Sequence, residues 1–130
     1  MIRWQGGDSV VFRDYHAKEL WHVCSLITDP IPDWKEMVEK LADDIVSIVI
    51  NGELAGVAAL VGCEVVASFD RTKMRGHLSA LVEGCTVVLD SWGQDLEASC
   101  PIGDRHSAKW LQAIGFGYIG SDSSDQLFKR

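Results

Sequence analysis

Branched and aromatic residues in Ser9-Val10-Val11-Phe12-Arg13 have the composition of a short β-strand. From Asp14 to Ile27 the pattern changes, with Leu20, Val23, Cys24 and Ile27 at helical spacing and Asp14 placed to accept from the first free amides. Thr28-Asp29-Pro30-Ile31-Pro32 stops that helix, because proline supplies no N–H and restricts the residue before it. A second helix is predicted from Asp33 to about Asp43, with Trp34, Met37, Val38 and Leu41 as its apolar stripe. Three strands follow: Ile45–Ile50, Leu54–Val61 and Glu64–Phe69. Asn51-Gly52 between the first two is a strong hairpin signal, so the three form an antiparallel meander. From Thr72 to Asp90 the period is helical again, through Met74, Leu78, Leu81, Val82, Cys85, Val88 and Leu89. Gly84 lies inside that helix at a cost of about 1 kcal/mol relative to alanine, so packing must compensate. Leu96–Cys100 reads as a strand, and Arg105–Ile114 as a short helix capped by Asp104 and ended by Gly115. Phe116–Gly120 and Gln126–Lys129 are the last strands, joined by a polar turn.

Composition narrows the class. A chain of 130 residues, 47% hydrophobic and 24% charged, fits one folded domain over 1–130, with no internal repeat or linker. The net charge of −7 argues against nucleic acid as a main partner, since phosphate backbones repel such a surface. The longest apolar stretch, Ile45 to Gly62, is interrupted by Asn51-Gly52-Glu53, so no membrane span is expected. Cys24, Cys63, Cys85 and Cys100 provide no paired half-site for zinc or redox chemistry. With nothing resembling a signal peptide at the start, all four read as buried thiols in a reducing, cytoplasmic compartment. His16, His22, His77 and His106 are scattered without metal-ligand spacing, so no metal is expected.

The order strand, two helices, three strands, helix, strand, helix, two strands resembles the GNAT superfamily of N-acetyltransferases. So does the segment Asp104–Phe116, a capped helix ending in Ile114-Gly115-Phe116 where those proteins carry an Asn-led helix ending in Leu-Gly-Phe. The resemblance implies an α/β (α+β) domain with a mixed, mostly antiparallel central sheet flanked by helices. It also implies two central strands that splay apart to admit the pantetheine arm of the cofactor. In GNAT enzymes a Q/R-x-x-G-x-G/A segment opens the central helix, and its amides hold the pyrophosphate of acetyl-CoA. Here the segment is Lys73-Met74-Arg75-Gly76-His77-Leu78: Lys73 stands for the Gln or Arg, Gly76 matches, and Leu78 replaces the second small residue, where it crowds the phosphate. Arg71, Lys73 and Arg75 place three of 12 basic residues within five positions, an anion-attracting cluster in an acidic protein. Arg71, Lys73, Arg75, Gly76 and His77 are therefore the implied contacts for acetyl-CoA or CoA.

The catalytic part of the pattern is thinner. Many GNAT enzymes carry a tyrosine acid in the short helix, and alignment on Gly115 puts Leu111 there; Tyr118 falls on the following strand. A general base is expected near the strand Glu64–Phe69, which Glu64 and Asp70 bracket. A narrower resemblance, over Thr72–Phe116, is to the small GNAT-like internal virion proteins of short-tailed phages, which also lack the tyrosine. Two readings follow. One is a phage virion or accessory component with weakened or lost acetyl transfer, partnered by other virion proteins or by itself and packaged in a particle. The other is an active acetyl-CoA-dependent N-acetyltransferase acting on an amine of a small molecule or protein.

Overall fold

The computed structural model describes residues 1–7, 9–15 and 40–130. The two helices predicted over Asp14–Ile27 and Asp33–Asp43 fall almost entirely on residues outside that set. The strands are β1 (Ile2–Gly6), β2 (Val10–Asp14), β3 (Asp44–Ile50), β4 (Glu53–Val61), β5 (Glu64–Phe69), β6 (Glu97–Pro101), β7 (Gly117–Ser121) and β8 (Asp125–Lys129). The helices among the described residues are α1 (Arg71–Met74), α2 (Leu78–Ser91) and α3 (Arg105–Ala113). One sheet contains all eight described strands in the order β1-β2-β3-β4-β5-β6-β8-β7. All neighbours are antiparallel except β5 and β6.

The predicted meander is present, with Asn51 (φ 52) and Gly52 (φ 78) turning β3 into β4 as a two-residue hairpin requires. Three expectations need correction. First, the element order gains an initial strand. β1 pairs with β2 at the sheet edge; its Ile2-Arg3-Trp4-Gln5 does alternate apolar and polar residues, but over only four positions. Asp14 closes β2 and its carboxylate accepts from Arg3 Nε at 2.7 Å; the helix it is expected to cap lies outside the described residues. Second, the central helix is two pieces. Asp70 caps α1 by accepting from the Thr72 amide at 3.0 Å, and the chain breaks at Arg75-Gly76-His77 before α2. Gly76 makes the break with φ +80, a conformation a side chain would strain. Third, the cysteines are not all buried: Cys85 and Cys100 are, but Cys63 sits exposed in the β4–β5 turn, and Cys24 lies outside the described residues.

The main core lies on one face of the sheet, where Phe12, Val46, Ile48 and Phe128 meet Leu81, Cys85, Val88 and Leu89 of α2. Each fully enclosed aliphatic side chain stabilises the fold by roughly 1.5–3 kcal/mol. On the opposite face Val57 and Ala59 are fully buried, packed with Tyr15, Ala42, Ile45, Leu54 and Val66. Gly84 shows why the helix tolerates a glycine: a Cβ there would stand 2.4 Å from Phe12 Cε1 and 2.7 Å from Trp4 Cε3. The missing side chain lets α2 lie directly on the edge-to-face pair of Trp4 and Phe12. At the far end of α2, Trp92 Nε1 donates to Asp44 Oδ2 at 2.8 Å, so the indole that leaves the core retains an acceptor.

Candidate functional site

β5 and β6 share a single register pair, Glu64 with Glu97. Each strand is satisfied on its other side: β5 through six register pairs with β4, β6 through five with β8. Beyond Glu64 and Glu97 the facing edges part, leaving a wedge that widens toward the carboxyl ends of both strands. Open sheets favour ligand binding at such a place, because the chain leaves parallel strands in different directions there. A cavity of about 360 Å³ occupies the wedge. Its walls are Val65, Ala67 and Phe69 of β5, Ala98 and Cys100 of β6, the inner face of α2, Trp110 and Leu111 of α3, and Ile114 at the C-cap of α3.

The cavity is apolar and its polar groups lie at the rim. Asp104 accepts from the Ser107 amide (3.0 Å) and from the Ser107 hydroxyl (2.7 Å), and caps α3. The Ser107 amide is the main reason its carboxyl titrates below the usual aspartate range. The group is thus a committed acceptor and not a proton donor. Burial pushes the Cys85 thiol up to about 12, and burial followed by the charges of Asp104 and Asp125 raises that of Cys100. Neither thiol is an activated nucleophile at neutral pH. Leu111 lines the cavity and offers no proton.

The mouth of the wedge, where β5 leads into α1 and β6 leads toward α3, is bridged twice. The rings of Phe69 and Trp110 meet edge to face with centroids 5.7 Å apart. Beside them Arg71 Nη2 lies 3.9 Å from Asp104 Oδ1, a long and largely exposed ion pair worth under about 1 kcal/mol. Phe69 is opposite Gly56 in β4 and its ring covers that glycine, where a Cβ would be 2.7 Å from Phe69 Cδ1.

The sequence-derived site residues fall into separate groups. Lys73 turns back to the sheet, donating to the Leu54 carbonyl at 3.1 Å and pairing with Glu53 at 3.5 Å. Arg71 is turned to Asp104, while Arg75 is exposed. His77 precedes α2 with its Nδ1 3.4 Å from Ser9 Oγ, and it provides no side-chain cap. Among the described residues the first-turn amides of α2 therefore have no side-chain acceptor, and open space surrounds the Gly76 Cα where a Cβ would project. Both features fit an anionic group at this helix start. Leu78 is 53% exposed, so its side chain stands in solvent and not in the core. The two carboxylates considered as bases lie elsewhere: Glu64 is exposed at the closed end of the wedge, and Asp70 is occupied as the cap of α1. Tyr118 is exposed on β7, its hydroxyl 2.7 Å from Ser121 Oγ. Among the described residues no group of three or more His, Cys, Asp or Glu is placed to hold a metal, and no helix is long and apolar enough to cross a membrane.

Sequence reasoning did not single out Phe69 and Trp110. The available signal was Trp110, Leu111 and Ile114 on one side of α3, an inner face with nothing assigned to fill it.

An eight-stranded sheet that opens at its one parallel pair, with a helix start free of side-chain caps nearby, defines a mixed α/β protein built around a cleft. That architecture is the GNAT acetyltransferase fold. The chain superposes on a ribosomal-protein-S5-alanine acetyltransferase from Vibrio fischeri with a TM-score of 0.71 at 14% identity, covering 97% of this chain and 94% of that one. It matches RimL, a ribosomal L7/L12 α-N-protein acetyltransferase in complex with coenzyme A, with a TM-score of 0.71 at 9% identity over 100% and 97% of the two chains. A spermidine N-acetyltransferase from Vibrio cholerae gives 0.68 at 9% identity over 95% and 94%. No protein-family model and no curated protein matches the sequence.

Proposed function

We propose that this chain binds acetyl-CoA or CoA in the wedge between β5 and β6 and transfers the acetyl group to an amine. The observation that carries the reading is the apolar cavity of about 360 Å³ between two parallel strands joined at one register pair. Such a slot accepts an extended, mostly apolar arm, and the uncapped start of α2 with Gly76 suits an anion at one end of it. Arg75, Gly76 and His77 are the residues of the basic segment nearest to that role; Lys73 serves the sheet and Arg71 serves the mouth. Bound acetyl-CoA supplies an activated thioester. The protein's contribution is to orient it, exclude water along the apolar walls and offer backbone amides on the free edge of β5 to a developing oxyanion.

A second reading is favoured by one observation: the wedge lacks the side chains of a general acid and base at the expected positions, with Leu111 in place of a tyrosine, Glu64 exposed at the closed end and Asp70 capping α1. On that reading the fold serves as an accessory component, such as a virion protein, that retains or has lost CoA binding without turnover.

Calorimetric titration with CoA and acetyl-CoA separates the outcomes. Micromolar binding, weakened about tenfold by Arg75→Glu and little changed by Lys73→Ala, supports the acetyltransferase reading. Thiol release from acetyl-CoA in the presence of primary amines then tests turnover. Binding without amine-dependent release selects the accessory reading, and no binding at millimolar ligand overturns CoA recognition altogether.

A further inference from the structure

We propose that Phe69 and Trp110 form an aromatic gate across the mouth of the wedge, opened by movement of α3 and latched by the Arg71–Asp104 pair. The pair of rings joins β5 to α3 on the side where the cavity faces the start of the central helices. Its two halves are held very differently. Phe69 is fixed over Gly56, so closely that a Cβ on that glycine would stand 2.7 Å from the ring. Trp110 belongs to α3, none of whose residues is fully buried. Segments with little buried apolar surface are the ones that open at low free-energy cost. Edge-to-face contacts and exposed ion pairs are each weak on their own. Together they hold a narrow mouth shut without locking it.

The chain carries its own reporter of this motion. Cys100 lines the cavity behind the gate and is 5% exposed, whereas Cys63 is exposed on the β4–β5 turn at the closed end of the wedge, its carbonyl accepting from the Glu97 amide at 2.8 Å. Opening admits water and reagent to Cys100 and relieves the burial that raises its pKa, and both effects speed its alkylation. The proposal rests on the CoA reading only for what passes the gate; the gate itself is tested without any ligand.

The experiment is alkylation of the full chain with iodoacetamide, read at Cys100 by peptide mass spectrometry, with Cys63 as the accessible reference and the urea midpoint of each variant as the measure of general loosening. Phe69→Leu and Trp110→Leu keep an apolar side chain but remove the ring contact and some volume, and are expected to raise the Cys100 rate about three- to tenfold relative to Cys63. Trp110→Phe preserves an aromatic edge and is expected to stay near wild type. Arg71→Ala should raise the rate about twofold, and 1 M salt should do the same for wild type. Unchanged Cys100 reactivity in both leucine variants overturns the gate, as does an acceleration that only tracks a fall in urea midpoint, which would mean that the whole domain has loosened. CoA is added in a separate arm. Protection of Cys100 by CoA shows passage of that ligand, while gating without protection retains the gate and removes CoA as its ligand.

Discussion

Gly84→Ala gives a direct test of how α2 is seated. Alanine is the better helix former by about 1 kcal/mol, so helix propensity alone predicts stabilisation. The structure predicts the opposite. The new methyl would lie 2.4 Å and 2.9 Å from Cε1 and Cδ1 of Phe12, and 2.7 Å from Cε3 of Trp4, against the roughly 3.5–4.0 Å of comfortable carbon contacts. Phe12 is 1% exposed and has no room to retreat, while Trp4 is half-buried and pinned by its edge-to-face contact with Phe12. Overpacking of this kind costs about 1–3 kcal/mol, and more when rings must leave their rotamers. The net expectation is a loss of roughly 1–2 kcal/mol, or several degrees in Tm for a domain of this size. Urea unfolding followed by circular dichroism should show a lower midpoint with an unchanged slope. Trp4→Leu in the same background should recover part of the loss, a coupling that a double-mutant cycle isolates. A Gly84→Ala protein at least as stable as wild type would refute the close approach of α2 to these rings.

Removing the cap of α3 by Asp104→Ala should cost about 1 kcal/mol in thermal unfolding, with Asp104→Asn retaining most of it because the amide oxygen still accepts from Ser107. The carboxyls of Asp14 and Asp44 are held low chiefly by hydrogen bonds from Arg3, whose Nη2 donates to Asp44 Oδ1 at 2.7 Å. Groups with depressed folded-state values stabilise fully above their unfolded value near pH 4, and the contribution is lost as pH falls through the folded values. Arg3→Leu should therefore flatten the acid limb of the stability profile between about pH 4 and pH 2, measured by urea midpoints at each pH; an unchanged limb would show that the pair contributes nothing.

Local signals in the sequence predict local structure well. Asn51-Gly52, the Asp104 cap and the Ile114-Gly115 ending each depend on a few adjacent residues, and all three appear where their chemistry requires. The break in the central helix was hidden because Met74 and Leu78 continue the apolar spacing of α2 across it, so periodicity runs through a turn that Gly76 alone marks. The first strand left only a short trace, the alternation of Ile2 and Trp4 with Arg3 and Gln5, over the minimum span for such a signal. The wedge was beyond any pattern along the chain, since it depends on which neighbour each strand selects. β6 pairs fully with β8 and touches β5 at one position, a choice made by the end of the chain and not by the strand itself.

The basic cluster shows the same limit for the site. Counted along the chain, Arg71, Lys73 and Arg75 form one anion site; in space they serve three surroundings, because successive residues of a short turn point in different directions. The consequence for function lies in Asp104. One carboxylate accepts from the first turn of α3 and faces Arg71 across the mouth, so the stability of that helix and the width of the wedge are not independent. A ligand that parts Phe69 from Trp110 must move the helix that Asp104 caps, and the charge at that cap stays tied to α3 as the mouth opens. Retaining the cap while losing Arg71 is therefore the cleaner way to open the site, and losing Asp104 should open it only together with a loss of helix stability.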